Sequence, residues 1–176
     1  MAFSLFRKRD SEKRNTVLSA LDLQPGSTFN YHSKSWKVAE SYRYDWGDDD
    51  FSFDHKVVCG EESFALSVEE YDWIRMVKTS PIVNEDLHRQ FVEAYAADSA
   101  LPKRFDHNGC TFELVETAPG YVSEWDSDEA EELINYDYED IANRSHVFSV
   151  EQYDEDEFEM FEGHKLETIE ITRISQ

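Results

Sequence analysis

The stretch FALSVEEYD, Phe64–Asp72, is written again as VFSVEQYD at Val147–Asp154, with Ser67 and Ser149 separated by 82 positions. A second match accompanies it. FNYHSKSWKVAE (Phe29–Glu40) aligns without gaps on FDHNGCTFELVE (Phe105–Glu116) at an offset of 76, setting Phe29 against Phe105, Trp36 against Phe112 and Val38 against Leu114. Two matches in the same order predict two similar halves related as an internal repeat.

Within each half the apolar residues alternate, which is the period of a strand. After the turn pair Pro25-Gly26 come Phe29 and Tyr31, then Trp36 and Val38, then Tyr42, Tyr44 and Trp46. GDDD and CGEES break the run, and Phe64, Leu66 and Val68 share a face of the next segment. About five short strands in this space have the rhythm of a small antiparallel barrel or a bent meander. The second half reads alike: CTFELVE as a strand, Ala118–Gly120 as a turn, then YVSEW, LINYDYED, HVFSVEQY, FEMFEG and LETIEITRI. DSDEAEEL is rich enough in helix formers to nucleate one helical turn instead. The Glu and Tyr-Asp ends of the repeated octapeptide are expected to face outward and to form turns.

Between the halves the period changes. Pro81 and Pro102 bracket Leu87, Phe91 and Tyr95, spaced four apart, with Asn84 as N-cap and Glu85 and Asp86 at the positive end of the dipole. This predicts one amphipathic helix over about 84–97, packed across the join. The expected layout is a basic N-terminal segment (1–20), a first β unit (21–80), a linker with the helix (81–103) and a second β unit (104–176). The fold class is mainly β: two pseudo-repeated small antiparallel barrel-like or meander units in one globule.

With 39 acidic against 17 basic side chains, the chain carries a formal charge of −22. Phosphate binding needs a basic stripe, so no nucleic-acid partner is expected. No apolar run is long enough to span a membrane, and Cys59 and Cys110 stand alone rather than as a disulfide framework, which suits a cytoplasmic protein with reduced thiols. Residues 1–14 are locally basic, with Arg7, Lys8, Arg9, Lys13 and Arg14 beside Phe3, Leu5 and Phe6, and offer weak peripheral contact with an anionic membrane.

The usual signatures of chemistry are missing. No HExxH, CxxC, Walker loop, GxGxxG or GxSxG occurs, and none of the six histidines pairs with another at ligand spacing. The acidic runs DWGDDDFSFD and DSDEAEE lack the ordered Gly and Glu of a helix-loop-helix calcium site. Pairs such as Glu69/Glu70, or Glu151 with Asp154, carry little information in so acidic a chain. No catalytic residue, metal ligand or cofactor is expected. What remains is aromatic: Tyr42, Tyr44 and Trp46 on one alternating face, Tyr136 and Tyr138 on another. Exposed beside acids, these rings would hold a cation or a peptide; buried, they would fill the barrel or the seam between halves.

The order and spacing of Pro25-Gly26, Trp36–Val38, Gly109–Glu116, Tyr136–Tyr138, Ser149–Tyr153 and Glu157–Gly163 resemble the bacterial domain-of-unknown-function family 4178. The resemblance implies an all-β, two-part domain with no assigned activity and no catalytic residue to carry over. Members of such families are often encoded near polyamine-synthesis and small membrane proteins, which implies an acidic partner for cations or an accessory role at a membrane. Together these readings predict a non-catalytic accessory or binding module whose acidic, aromatic-bearing surface engages a protein or a cationic small molecule. The alternative is an enzyme with its site between the two halves.

Overall fold

The structure, a computed structural model, describes residues 18–167 and 170–176. The basic segment at residues 1–14 lies outside the described residues. A 3₁₀ turn, Ala20–Asp22, precedes five strands: β1 (Thr28–Tyr31), β2 (Lys34–Gly47), β3 (Asp50–Cys59), β4 (Glu62–Glu70) and β5 (Ile74–Pro81). The helix α1 (Glu85–Asp98) leads to β6 (Arg104–His107), β7 (Cys110–Glu124), β8 (Glu131–Asp140), β9 (His146–Gln152) and β10 (Phe158–Leu166), and β11 (Thr172–Ser175) ends the chain. No helix among the described residues is long and apolar enough to cross a membrane.

The strands form one antiparallel sheet in the order β11-β1-β2-β3-β4-β5-β10-β9-β8-β7-β6. A further pairing, Tyr42–Asp45 of β2 with Tyr121–Glu124 of β7, brings the two arms together. β2, β3, β4, β5, β10, β9, β8 and β7 thereby close into a ring, and β1 with β11 at one place and β6 at another extend from it as flaps. Two five-stranded meanders, β1–β5 and β6–β10, thus share one ring, and β11 pairs with β1 at its margin.

The geometry of β2 and β7 explains this arrangement. Each is long and bulged, β2 between Val38 and Glu40 and β7 between Leu114 and Glu116. A bulge bends a strand and increases its twist. The first part of each strand therefore pairs with its own flap, and the second part crosses to the other half. The flap hairpins match as well: Phe29 pairs with Trp36, and Phe105 with Phe112. Their two-residue loops, His32-Ser33 and Asn108-Gly109, have positive φ at both positions, as right-twisted strands require of so short a connection.

The expected turn at Ala118–Gly120 is absent, because β7 runs straight through it, pairing Ala118 with Asn135 and Pro119 with Ile134. Proline has no N–H for a ladder. It is tolerated here because β7 pairs with β6 only up to Glu113 and with β2 only from Tyr121, leaving Pro119 on a local edge. DSDEAEEL forms no helix either; its first residues make a loop and its last begin β8.

Two apolar cores lie on the outer face of the ring. The first gathers Phe29, Trp36, Val38, Val57, Leu66 and Val68 beneath the 3₁₀ turn and Ile171. The second gathers Phe105, Phe112, Tyr138, Phe148 and Val150 with Leu87 and Phe91 of α1. The helix is capped as expected, the Asn84 side chain accepting a bond from the Leu87 N–H at 3.0 Å. It covers the second core alone, however, and does not bridge the join. Its Leu87–Phe91 stripe meets second-half aromatics, such as Phe105 edge-on at 5.2 Å, while the first core already has its own cover.

Glycine makes both seams possible. At the β2–β7 seam, a Cβ on Gly120 would lie 2.5 Å from the Trp46 ring; at the β5–β10 seam, one on Gly163 would lie 1.9 Å from the Lys78 carbonyl oxygen. The second obstacle is backbone, which cannot rotate away. Gly163→Ala is expected to lower stability by about 1–3 kcal/mol, the usual cost of overpacking. Thermal unfolding beside Gly60→Ala, which has open space around it but a positive φ, separates the steric cost from the conformational one.

Candidate functional site

The inner face of the ring is polar. Alternation that sends Leu66 and Val68 of β4 into the first core turns Ser67 and Glu69 inward, and alternation that sends Phe148 and Val150 of β9 into the second core turns Ser149 and Glu151 inward. The repeated Ser-Val-Glu of the two octapeptides thus supplies a serine and a carboxylate to one cavity from each half. This corrects the expectation that its glutamates face outward: Glu70 is exposed, but Glu69 and Glu151 are enclosed.

Asp54 of β3, Arg75 of β5 and Asn135 and Asp137 of β8 complete the central chamber, a space of about 60 Å³ that suits a few waters. It widens at both ends. One mouth, about 490 Å³, shares Tyr44, Asp54 and Glu151 with the chamber and adds Tyr42, Lys56, Glu131, Tyr153, Glu157 and Glu159. The other, about 300 Å³, shares Trp46, Glu69 and Asp137 and adds Asp50, Tyr71 and Glu116. The arrangement is a channel through the ring in which carboxylates outnumber the two cations, Arg75 and Lys56.

Burial and hydrogen bonding set the protonation of these groups. Glu151 accepts from the Tyr44 hydroxyl at 3.0 Å and the Tyr153 hydroxyl at 2.7 Å. Burial, reinforced by the Asp54 charge, nevertheless pushes its pKa up to about 7. Asp54 is pushed up to about 6, by burial first and against the Ser67 hydroxyl bond, which favours the ionised form. Both phenols are held above their ordinary range, chiefly by burial and then by neighbouring carboxylates.

Arg75 lies 2.9 Å from Glu69 and 3.4 Å from Asp137 and so joins the two halves across the cavity. Burial opposes its charge, but these two carboxylates outweigh that effect and raise its pKa. Asn135 completes the array, donating to Asp137 at 3.1 Å and accepting from the Ser149 hydroxyl at 2.7 Å. Chemically, this is a preorganised, partly dehydrated acidic cavity with two carboxyls poised to give up protons near neutral pH.

The five aromatics singled out from the sequence divide between the two faces. Tyr42, Tyr44 and Trp46 line the channel, with Tyr44 and Trp46 stacked at 5.4 Å and the Trp46 N–H donating to the Ser52 hydroxyl at 3.0 Å. Tyr136 and Tyr138 point the other way, into the second core, where their hydroxyls donate to Gln152 and to the Pro102 carbonyl, each at 3.0 Å. Sequence reasoning missed Asp54, Glu69, Arg75, Asp137 and Glu151. One signal was available: Ser67, Glu69, Ser149 and Glu151 are the polar half of the repeated alternation.

Fold and cavity together define a mainly β protein whose two meanders enclose a polar channel. The chain belongs to the family described as Domain of unknown function (DUF4178), whose match covers residues 24–168. No curated protein and no solved structure matches the chain.

Proposed function

We propose that this chain is a non-catalytic, cytoplasmic binding module that takes a cationic small molecule into the ring, rather than a nucleic acid onto its surface. The observation that carries the reading is the excess of carboxylates along the channel, with an acidic mouth at each end. A linear organic cation with separated ammonium groups suits this layout. One group would meet Glu151 and Asp54, another Glu69 and Asp137, while Tyr42, Tyr44 and Trp46 offer ring faces to the alkyl stem and the charge. Enclosure strengthens each charge pair relative to water.

The test is thermal unfolding of the full chain with a linear alkyl diamine and with the matching neutral diol. At a hundredfold excess over its dissociation constant, a ligand stabilises by about 2.7 kcal/mol. That corresponds to a rise of about 5–10 °C in a chain of this size. The diamine is expected to give this shift, to lose it in Glu151→Gln/Asp54→Asn, and to keep part of it in high salt. An equal shift with the diol, or an unchanged shift in the double variant, would overturn the reading.

One observation favours an enzyme instead: two enclosed carboxyls with pKa values of about 6 and about 7 suit general acid–base work. Consumption of a bound amine over time would mark that reading, and its intact recovery supports binding alone.

A further inference from the structure

A second cluster, none of whose members lines the channel, occupies the end of the second core where three strand ends meet. Cys110 opens β7, Asp140 closes β8 and His146 opens β9. The Cys110 Sγ, an Asp140 carboxylate oxygen and a His146 ring nitrogen all lie within 4.8 Å of one another. Spacing along the chain hid this group, because its members come from separate ladders.

Neighbouring groups already orient the histidine and the aspartate. His146 Nδ1 faces Asp140 Oδ2 at 3.6 Å, and its other nitrogen, Nε2, is 2.8 Å from Glu162 Oε1. A histidine that ligates a metal through one nitrogen ordinarily donates from the other to a carboxylate, which fixes the ring and its tautomer. Asp140 is oriented similarly. Its Oδ1 accepts from the Ala142 N–H at 2.9 Å, leaving Oδ2 toward the cluster. His146 is held by packing, edge-on to Phe112 at 5.0 Å and stacked on His164 at 4.8 Å.

The hairpin itself does not demand a cysteine at position 110. In the flap hairpin of the second half, His107 pairs with Cys110; the matching hairpin of the first half pairs Tyr31 with Lys34.

We propose that Cys110, Asp140 and His146 form a binding site for a zinc-class divalent ion, with Glu162 positioning His146 and solvent as the fourth ligand. Thiolate, imidazole and carboxylate are the donor set of zinc, and a thiolate disfavours calcium and magnesium. Zinc–ligand bonds of about 2.0–2.3 Å place tetrahedral ligands about 3.5 Å apart, so closing on the ion needs a movement of about 1 Å. Cys110 and His146 are only partly buried, which leaves the ion a path of entry. Binding ties the starts of β7 and β9 to the end of β8 and displaces the thiol proton, so it strengthens as pH rises.

The experiment titrates the chelator-treated full chain with cobalt(II), whose thiolate complexes show a near-ultraviolet charge-transfer band. One equivalent is expected to produce the band. Cys110→Ser is expected to abolish it, and Glu162→Gln to weaken cobalt binding about 10–100-fold, the usual effect of losing such a partner. Glu151→Gln, in the channel, is expected to leave the band unchanged. A second measurement needs no variant: zinc should slow alkylation of Cys110 in the native chain and leave Cys59 unaffected. No band at excess cobalt, a band that survives Cys110→Ser, or equal alkylation of Cys110 with and without zinc would each overturn the proposal.

Discussion

Replacing Arg75 by methionine is expected to destabilise the fold by about 3 kcal/mol at pH 8, and by clearly less at pH 5. The guanidinium lies between Glu69 of the first half and Asp137 of the second, at 2.9 Å and 3.4 Å, with all three side chains about four-fifths buried. Methionine fills a similar volume but leaves two enclosed carboxylates facing one another without a cation. An uncompensated buried charge costs more than the pair was worth, which is why removing one partner is severe. Burial already holds the Glu69 carboxyl above its ordinary range against the lowering effect of Arg75, so without the guanidinium it takes up a proton more readily as pH falls, and part of the loss is recovered. Denaturant unfolding at the two pH values reads both numbers. A loss independent of pH would mean that Arg75 acts through packing and not through charge.

The second large effect concerns Glu151. Its pKa stands at about 7 in the fold against an ordinary 4.5, so the folded state holds a proton that the unfolded state has released. Stability therefore falls as pH rises through the window from about 4.5 to about 7, and the full penalty, about 3 kcal/mol, is present above it. Asp54, raised to about 6, contributes with the same sign at slightly lower pH. Glu151→Gln removes the ionisation while keeping a carbonyl acceptor for one of the two phenols. The variant is expected to be more stable than the native chain at pH 8, to lose that advantage by pH 5, and to show a flatter profile between. A variant less stable at pH 8 than the native chain would show that the ionised glutamate is well accommodated.

These two residues also show where sequence reading succeeded and where it stopped. The alternation that marks strands was legible because each segment buries one face, and so the first-half strands and the α1 boundaries were within reach. The closure was not legible. It depends on bulges at Val38/Glu40 and Leu114/Glu116 that switch which residues face inward partway along β2 and β7. Tyr44 and Tyr138 look equivalent in the sequence, yet one lines the channel and the other sits in the second core. Glu69 and Glu151 were passed over because carboxylates abound in this chain, and only ring closure distinguishes an enclosed acid from a solvated one. Pro119 misled for a local reason: an edge position inside a long strand has no signature of its own.

The most direct test of the acidic channel as a cation site is the proton count on binding. Calorimetric titration of a linear alkyl diamine at pH 6.5, in two buffers of different ionisation enthalpy, gives the number of protons released per ligand. With Glu151 and Asp54 partly protonated before binding and ionised after it, the account predicts release of about one proton, tighter binding from pH 5.5 to pH 8, and loss of both effects in Glu151→Gln/Asp54→Asn. Binding with no proton release, and with the same affinity in the double variant, would contradict it.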